Sequence, residues 1–360
     1  MKLFYKVCLL LFLITPDVQM SFGQGSWPSP EAEQMYAHAR EYMIRNDLPE
    51  AIAVFKQAIL LEPEKILLYE GLGDALYRSG RYSEAAQILT PLLPNAGAQC
   101  YELLAACQAA GKDIKAAKET INKGLQRYPD SGILYHRSGL LYSAEKKQNE
   151  ALIAWLEGIA DDPLYALNYY EAARQYLASA TVEWGILYAE IYLCMAHDSD
   201  GDQVLKDELL SGYKNFFTHI AGEQLPMYGQ HELSPAPAGF IAAIRDVYVR
   251  LTPVVSDGVT KENLTMVRTR FLIDWWGECR DKYPFTLFTY HDMLIRSGYF
   301  DIYNEWLFGK AENGAEYYAW NQFHAGDMER FTAWKNGHNL IPAKEKYNRE
   351  EMDILARKKK

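Results

Sequence analysis

Seven side chains in the C-terminal part of this 360-residue sequence are of types that do chemistry: Asp274, Glu278, Cys279, His291, Asp292, His324 and Asp327. A cysteine with a histidine against it can act as a nucleophile, and Cys279 would be that cysteine. His324 and Asp327 stand one helical turn apart and could share a metal ion. Further upstream, His197-Asp198-Ser199-Asp200-Gly201-Asp202 begins like a calcium loop. That loop needs glycine at its sixth position and glutamate at its twelfth, where this sequence has Gln203 and Leu209. It reads instead as a turn that caps the next helix. The chain has no Gly-x-Ser-x-Gly, phosphate loop, His-Glu-x-x-His or Cys-x-x-Cys. With every constellation incomplete, no catalytic residue, metal or cofactor is expected, and a histidine or aspartate beside tryptophan and tyrosine reads as a hydrogen-bonded packing element.

The elements that must carry these residues are helical. Val204, Leu205, Leu209 and Tyr213, followed by Phe216, Phe217 and Ile220, fall at helical spacing. Residues 222–239 hold Pro226, Pro235 and Pro237 and read as a long surface connection. Phe240 to Leu251 reads as helix, residues 253–258 as a turn, and residues 263–282 as an amphipathic helix carrying Phe271, Leu272, Trp275 and Trp276. Met293 to Phe300 echoes Ala75 to Tyr82, so residues 284–334 are expected to form helical hairpins. Tyr317, Tyr318, Trp320, Phe323 and Trp334 could make a sugar-stacking platform, although at helical spacing such residues are usually core. Residues 336–360 form a polar tail.

From about Pro30 to Leu193 one pattern recurs about five times, with a period of roughly 34 residues. Met35, Ala39, Tyr42, Ala51, Phe55, Ala58 and Pro63 form one copy. Tyr135, Gly139, Tyr142, Ala151, Trp155, Gly158 and Pro163 repeat its spacing. Ala39, Gly73, Ala105, Gly139 and Ala173 recur where a bulky side chain would push the facing helix away, and Ala51, Ala85, Ala117 and Ala151 answer from that helix. Pro63, Pro129 and Pro163 end units, because proline cannot continue a helix. Gly80 falls where the chain reverses. Copy two, with Pro91 and Pro94, should end early, and copy three has Gln108 where an aromatic wedge would sit.

This pattern resembles the tetratricopeptide-repeat family over residues 30–193. The resemblance implies an all-α fold, a helical-hairpin solenoid coiled as a right-handed superhelix that continues into a divergent helical C-terminal region. It also implies a concave groove lined by the first helix of each pair. Projection onto that lattice turns Tyr36, Arg40, Met43, Glu70, Asp74, Tyr77, His136, Leu140, Tyr170 and Arg174 toward the groove, a mixture suited to a protein or peptide partner. The family's carboxylate clamp uses lysine and asparagine; the corresponding first-unit positions here are Tyr36 and Arg40, so that mode of binding is not implied.

The chain ends add a compartment. Lys2 and Lys6, an apolar run from Val7 to Ile14, and Ser21-Phe22-Gly23 make an export signal over residues 1–23. The run is far too short to span a bilayer, and no membrane insertion is expected once it is removed. Its loss takes the formal charge from −10 to −11. An acidic chain with no basic stripe makes a poor nucleic-acid binder. Cys100 and Cys107 are separated by about 10 Å of helical rise, too far for a bond to each other. Cys194 and Cys279 could meet. The organisation expected is thus a signal at 1–23, repeats at 30–193, a helical region at 194–335 and a tail at 336–360. The expected function is a periplasmic or extracellular scaffold or adaptor that binds a protein or peptide of the cell envelope. The alternatives are an exported enzyme with its site in residues 200–335, and a cell-envelope glycan binder.

Overall fold

The computed structural model describes residues 27–179, 181–195, 202–222, 239–345, 347–349 and 352–353. The expected signal, nearly all of the 222–239 connection and most of the calcium-like loop lie outside the described residues. All regular structure among the described residues is helical. The chain forms two compact units that divide between Asp162 and Pro163, so the fifth repeat copy belongs to the second.

The first unit is four helix pairs: α1 (Pro30–Ile44) with α2 (Leu48–Leu61), α3 (Ile66–Arg78) with α4 (Tyr82–Leu89), α5 (Ala98–Ala110) with α6 (Ile114–Arg127), and α7 (Gly132–Ala144) with α8 (Gln148–Asp161). Each pair closes at its small residues. Ala39, Ala105, Ala51, Ala85, Ala117 and Ala151 are fully buried, and Gly73 and Gly139 are buried with them. A Cβ on Gly139 would lie 2.1 Å from the indole Nε1 of Trp155 on α8, and that indole is held in place by its bond to the His136 carbonyl. Prolines follow two residues beyond α2, α6 and α8, as expected, and α4 ends early in a 3₁₀ turn, Thr90–Leu92. Gln108, standing where a wedge aromatic would be, accepts a 2.8 Å hydrogen bond from Thr120 on the facing helix.

The turns inside the pairs share one geometry. Asn46, Gly80, Lys112 and Lys146 all take positive φ, between 61° and 79°. In each case the N–H of the next residue bonds back into the last turn of the first helix: Asp47 to the Tyr42 carbonyl, Arg81 to Leu76, Asp113 to Gln108, and Lys147 to Tyr142. This is the left-handed helix stop that satisfies the last carbonyls. Gly80 and Asn46 are of residue types that favour this conformation; Lys112 and Lys146 are not.

The second unit comprises α9 (Ala166–Leu177), α10 (Val182–Met195), α11 (Asp202–Gly222), α12 (Phe240–Leu251), α13 (Lys261–Glu278), α14 (Thr286–Arg296), α15 (Phe300–Asn304), a π turn at Glu305–Gly309, α16 (Lys310–Glu312) and α17 (Gly314–Gly337), which kinks at His324. The echo at 293–300 is structural: Gly298 has φ 73°, and Tyr299 bonds back to Leu294 as Arg81 does to Leu76. The core is aromatic. Tyr248 stacks on Phe271 at 4.3 Å between ring centres, and Phe271 stacks on Trp275 at 5.6 Å. A Thr260/Asn263 capping box starts α13, and Asn313 caps α17. The tail is not polar throughout, since Leu340 and Met352 are buried.

Gly139→Ala should lower stability by about 1–3 kcal/mol, because overpacking against Trp155 outweighs the gain in helix propensity. Urea unfolding checks this, and a variant as stable as the parent would remove close approach as the reason for glycine there.

Candidate functional site

Helices α1, α3, α5 and α7 bring polar and aromatic side chains within reach of one another. Burial raises the Asp74 carboxyl. Arg78, bonded to it at 3.2 Å, and Arg40 of the preceding pair pull it down, while Glu102 of the following pair pushes it up. Arg137, one pair further on, donates Nε–H to Glu102 at 2.7 Å. Burial also raises the Tyr77 hydroxyl, on which Arg137 and Glu102 both act. Arg40 donates to the Tyr36 hydroxyl at 3.4 Å, and the Tyr36 ring packs against Trp27 and Phe55. Glu70, raised by burial, and the half-buried Leu140 belong to the same helices.

Two residues expected on this face are inside instead. Met43 is 5% exposed and belongs to the core cluster; it follows Ala39 by four residues, so the helix turns both toward α2. His136 is 8% exposed, four residues after the buried Gly132 and three before Gly139, and so shares their stripe. Tyr170 and Arg174 stand in the second unit, where Arg174 clamps Glu208 with bonds of 2.8 and 2.9 Å. Arg78 and Arg137 were missed as site residues. The spacing held the signal for both: Arg78 is four residues after Asp74, and Arg137 lies one repeat after Glu102.

The candidates for chemistry do not assemble. Asp274 pairs with Arg270, Glu278 with Arg250, and Asp292 with Arg296. His324 Nδ1 lies 3.0 Å from Asp327, which Arg330 also holds, and Trp320 stacks on the imidazole at 4.4 Å. Among the described residues no group of three or more histidine, cysteine or acidic side chains could hold a metal. Cys100, Cys107, Cys194 and Cys279 are free thiols. Burial pushes the first three up to about 12 and raises Cys279 as well, so none is a ready thiolate. Tyr318 and Phe323 are exposed, Phe323 at 87%, while Tyr317, Trp320 and Trp334 are half-buried.

His291 belongs to a closed network in the second unit. Glu190, on α10, accepts hydrogen bonds from Tyr213 at 2.9 Å and Tyr303 at 3.0 Å. His291 Nε2 lies 3.1 Å from the same carboxylate, and Arg268 pairs with it while also bonding Asn304. Burial works to raise the Glu190 carboxyl, but Arg268, His291 and Tyr213 outweigh it and hold the group at about 2. Burial lowers His291, against the pull of Glu190. Glu190, Arg268 and His291 are each at most 4% exposed, so the arrangement spends its hydrogen bonds on itself and offers no face to a substrate. A lone glutamate in Trp184 to Cys194 was the signal for it, since an unpaired carboxylate is almost never buried.

Residues 39–87 match the family model of the TPR repeat. That match covers most of the first and second repeat copies, and the paired helices around it have the build of tetratricopeptide repeats. Comparison with curated proteins finds no match. Among solved structures the chain is similar to a thermophilic TPR protein of Thermus thermophilus, at 14% identity over 50% of this chain and 99% of that one, with a TM-score of 0.44. It is also similar to MamA (41-end) from Desulfovibrio magneticus RS-1, at 16% identity over 46% and 96%, with a TM-score of 0.36. A third is YrrB, a TPR protein with an unusual peptide-binding site, at 18% identity over 49% and 91%, with a TM-score of 0.33. No helix of the described residues is long and apolar enough to cross a membrane.

Arg268→Ala should cost about 3–5 kcal/mol in urea unfolding, because it strands a buried carboxylate. Because His291 is lowered in the folded chain, its contribution is lost as pH falls through the ordinary histidine value of 6.5. An unchanged midpoint for the variant would show that the pair contributes nothing net.

Proposed function

We propose that this chain is an exported, non-catalytic scaffold or adaptor that binds a protein or peptide of the cell envelope on the first-helix face of its repeats. The observation that carries the proposal is the run of Tyr36, Arg40, Asp74, Tyr77, Glu102 and Arg137 over four successive pairs, with neighbours close enough to act on one another electrostatically. Tyrosine and arginine dominate the energetics of protein interfaces, and here their neighbours already hold them in place, so less rotamer entropy is lost on binding. The acidic residues are matched by arginines along the same helices. That favours a partner of mixed charge over nucleic acid. The closed state of the Glu190 network and the raised thiols support a role without chemistry. Export rests on the sequence of residues 1–23.

Affinity capture with the mature protein should recover a partner that a Tyr36→Ala/Tyr77→Ala/Arg137→Ala chain recovers at least about tenfold less well; equal recovery would exclude this face. Intact-mass measurement of the exported product should show a chain that starts near Gln24, and retention of residues 1–23 would sink the export reading.

A further inference from the structure

Glu345 and Tyr347 are seated in a cleft of the second unit, and their contacts are those of a bound peptide. Thr286 opens α14, whose N-cap, Phe285, supplies no side-chain cap. The cap comes instead from Glu345, whose Oε1 accepts from the Thr286 N–H and hydroxyl, each at 2.6 Å. Two residues later the Tyr347 hydroxyl donates to the Pro284 carbonyl at 2.7 Å. The Tyr347 ring stacks on Phe240 at 4.4 Å, with the planes 16° apart, and meets Tyr283 edge-on at 6.0 Å. A cavity of about 590 Å³ lies along this seam, lined by residues of both sides, including Thr289 and Lys344. Asn348 is 1% exposed, yet neither its amide oxygen nor its nitrogen has a hydrogen-bond partner among the described residues.

We propose that the cleft formed by Phe240, Tyr283, Pro284 and Thr286 is a docking site for an extended segment with a carboxylate two residues before a tyrosine, and that Glu345 and Tyr347 fill it in cis as a displaceable occupant. The free N–H and hydroxyl of Thr286 at the start of α14 offer hydrogen bonds to a carboxyl oxygen, and an aromatic slot with a carbonyl at its rim takes a tyrosine. The site lies in the second unit and does not depend on the repeat-face reading.

Two features make the occupant displaceable. The buried Asn348 amide is desolvated without compensation, which weakens the seat. Burial also pushes the Glu345 carboxyl up to about 7, against the two Thr286 bonds that lower it. Around that carboxyl the strap brings Lys344 and Tyr347, the turn before α14 brings Tyr283 with Lys282 over its ring, α14 brings Thr286 and Thr289, and α12 brings Phe240. The seated carboxyl holds its proton more tightly than a released one. Docking is therefore strongest below the ordinary value of 4.5 and weakens as pH rises through about 7, by on the order of 100-fold in all.

The test uses the full chain carrying Glu345→Ala and Tyr347→Ala and a fluorescein-labelled peptide of residues 339–353, followed by polarisation at pH 6 and pH 9. Saturable binding is expected, at least about tenfold tighter to this variant than to the wild-type chain and at least about tenfold weaker at pH 9 than at pH 6. No saturable binding to a folded variant, or equal affinity for both chains, overturns the proposal. Should the double variant lose its helical circular dichroism, hydrogen exchange of the wild-type and Glu345→Gln chains decides the matter. Protection at 343–349, corrected for intrinsic rates, should fall between pH 6 and pH 9 in the wild type and hold in Glu345→Gln. Equal behaviour of the two chains overturns the proposal.

Discussion

Close approach of paired helices is the constraint on which the first unit depends. Ala39 faces α2, Gly73 faces Leu89 on α4, and Gly139 faces Trp155 on α8 with no room for even a methyl group. Because each pair is this tight, the large side chains are left to fill the space between pairs. The first helices then stand near enough for Arg40 to act on Asp74 and for Arg137 to reach Glu102. The face proposed for binding is thus a consequence of small residues on the opposite side of the same helices.

The second unit is held differently. Its helices are bound by an aromatic core and by one carboxylate, Glu190, which takes donors from α11, α13, α14 and α15. Burying a charge is unfavourable unless hydrogen bonds and an opposite charge accompany it, and here both do. The abundance of tyrosine follows in part from this, since Tyr213 and Tyr303 fill the core with their rings and satisfy the carboxylate with their hydroxyls. Side chains that in another setting would form an acid–base site serve here to define which helices meet.

The two units therefore present two kinds of surface. On the first, Asp74, Arg78, Glu102 and Arg137 are half-buried, and Arg137 pairs with Glu102 across repeats. On the second, Glu345 and Tyr347 lie in an aromatic cleft, the carboxyl at a helix start and the tyrosine on Phe240. Both place polar side chains beside aromatic rings, and each is proposed above as a place where polypeptide binds.

Helix pairing, the crossing residues, the terminal prolines and the turn at Gly80 were legible in the sequence, because each is set by local sterics that residue type encodes: small where axes cross, proline where a helix cannot go on. The same sterics made the echo at 293–300 readable. The turns at Lys112 and Lys146 were not readable by residue type, because lysine does not itself favour positive φ. Nor could spacing alone decide Met43 and His136, which sit at the edge of a helical stripe where a small rotation separates groove from core. The meeting of Glu190 with Arg268 and His291, and the seating of Glu345 on Thr286, join residues 59 or more positions apart in the chain. Local pattern carries no information about such pairs; only packing brings them within hydrogen-bond distance, and so only the tertiary structure decided which charged side chains would be buried.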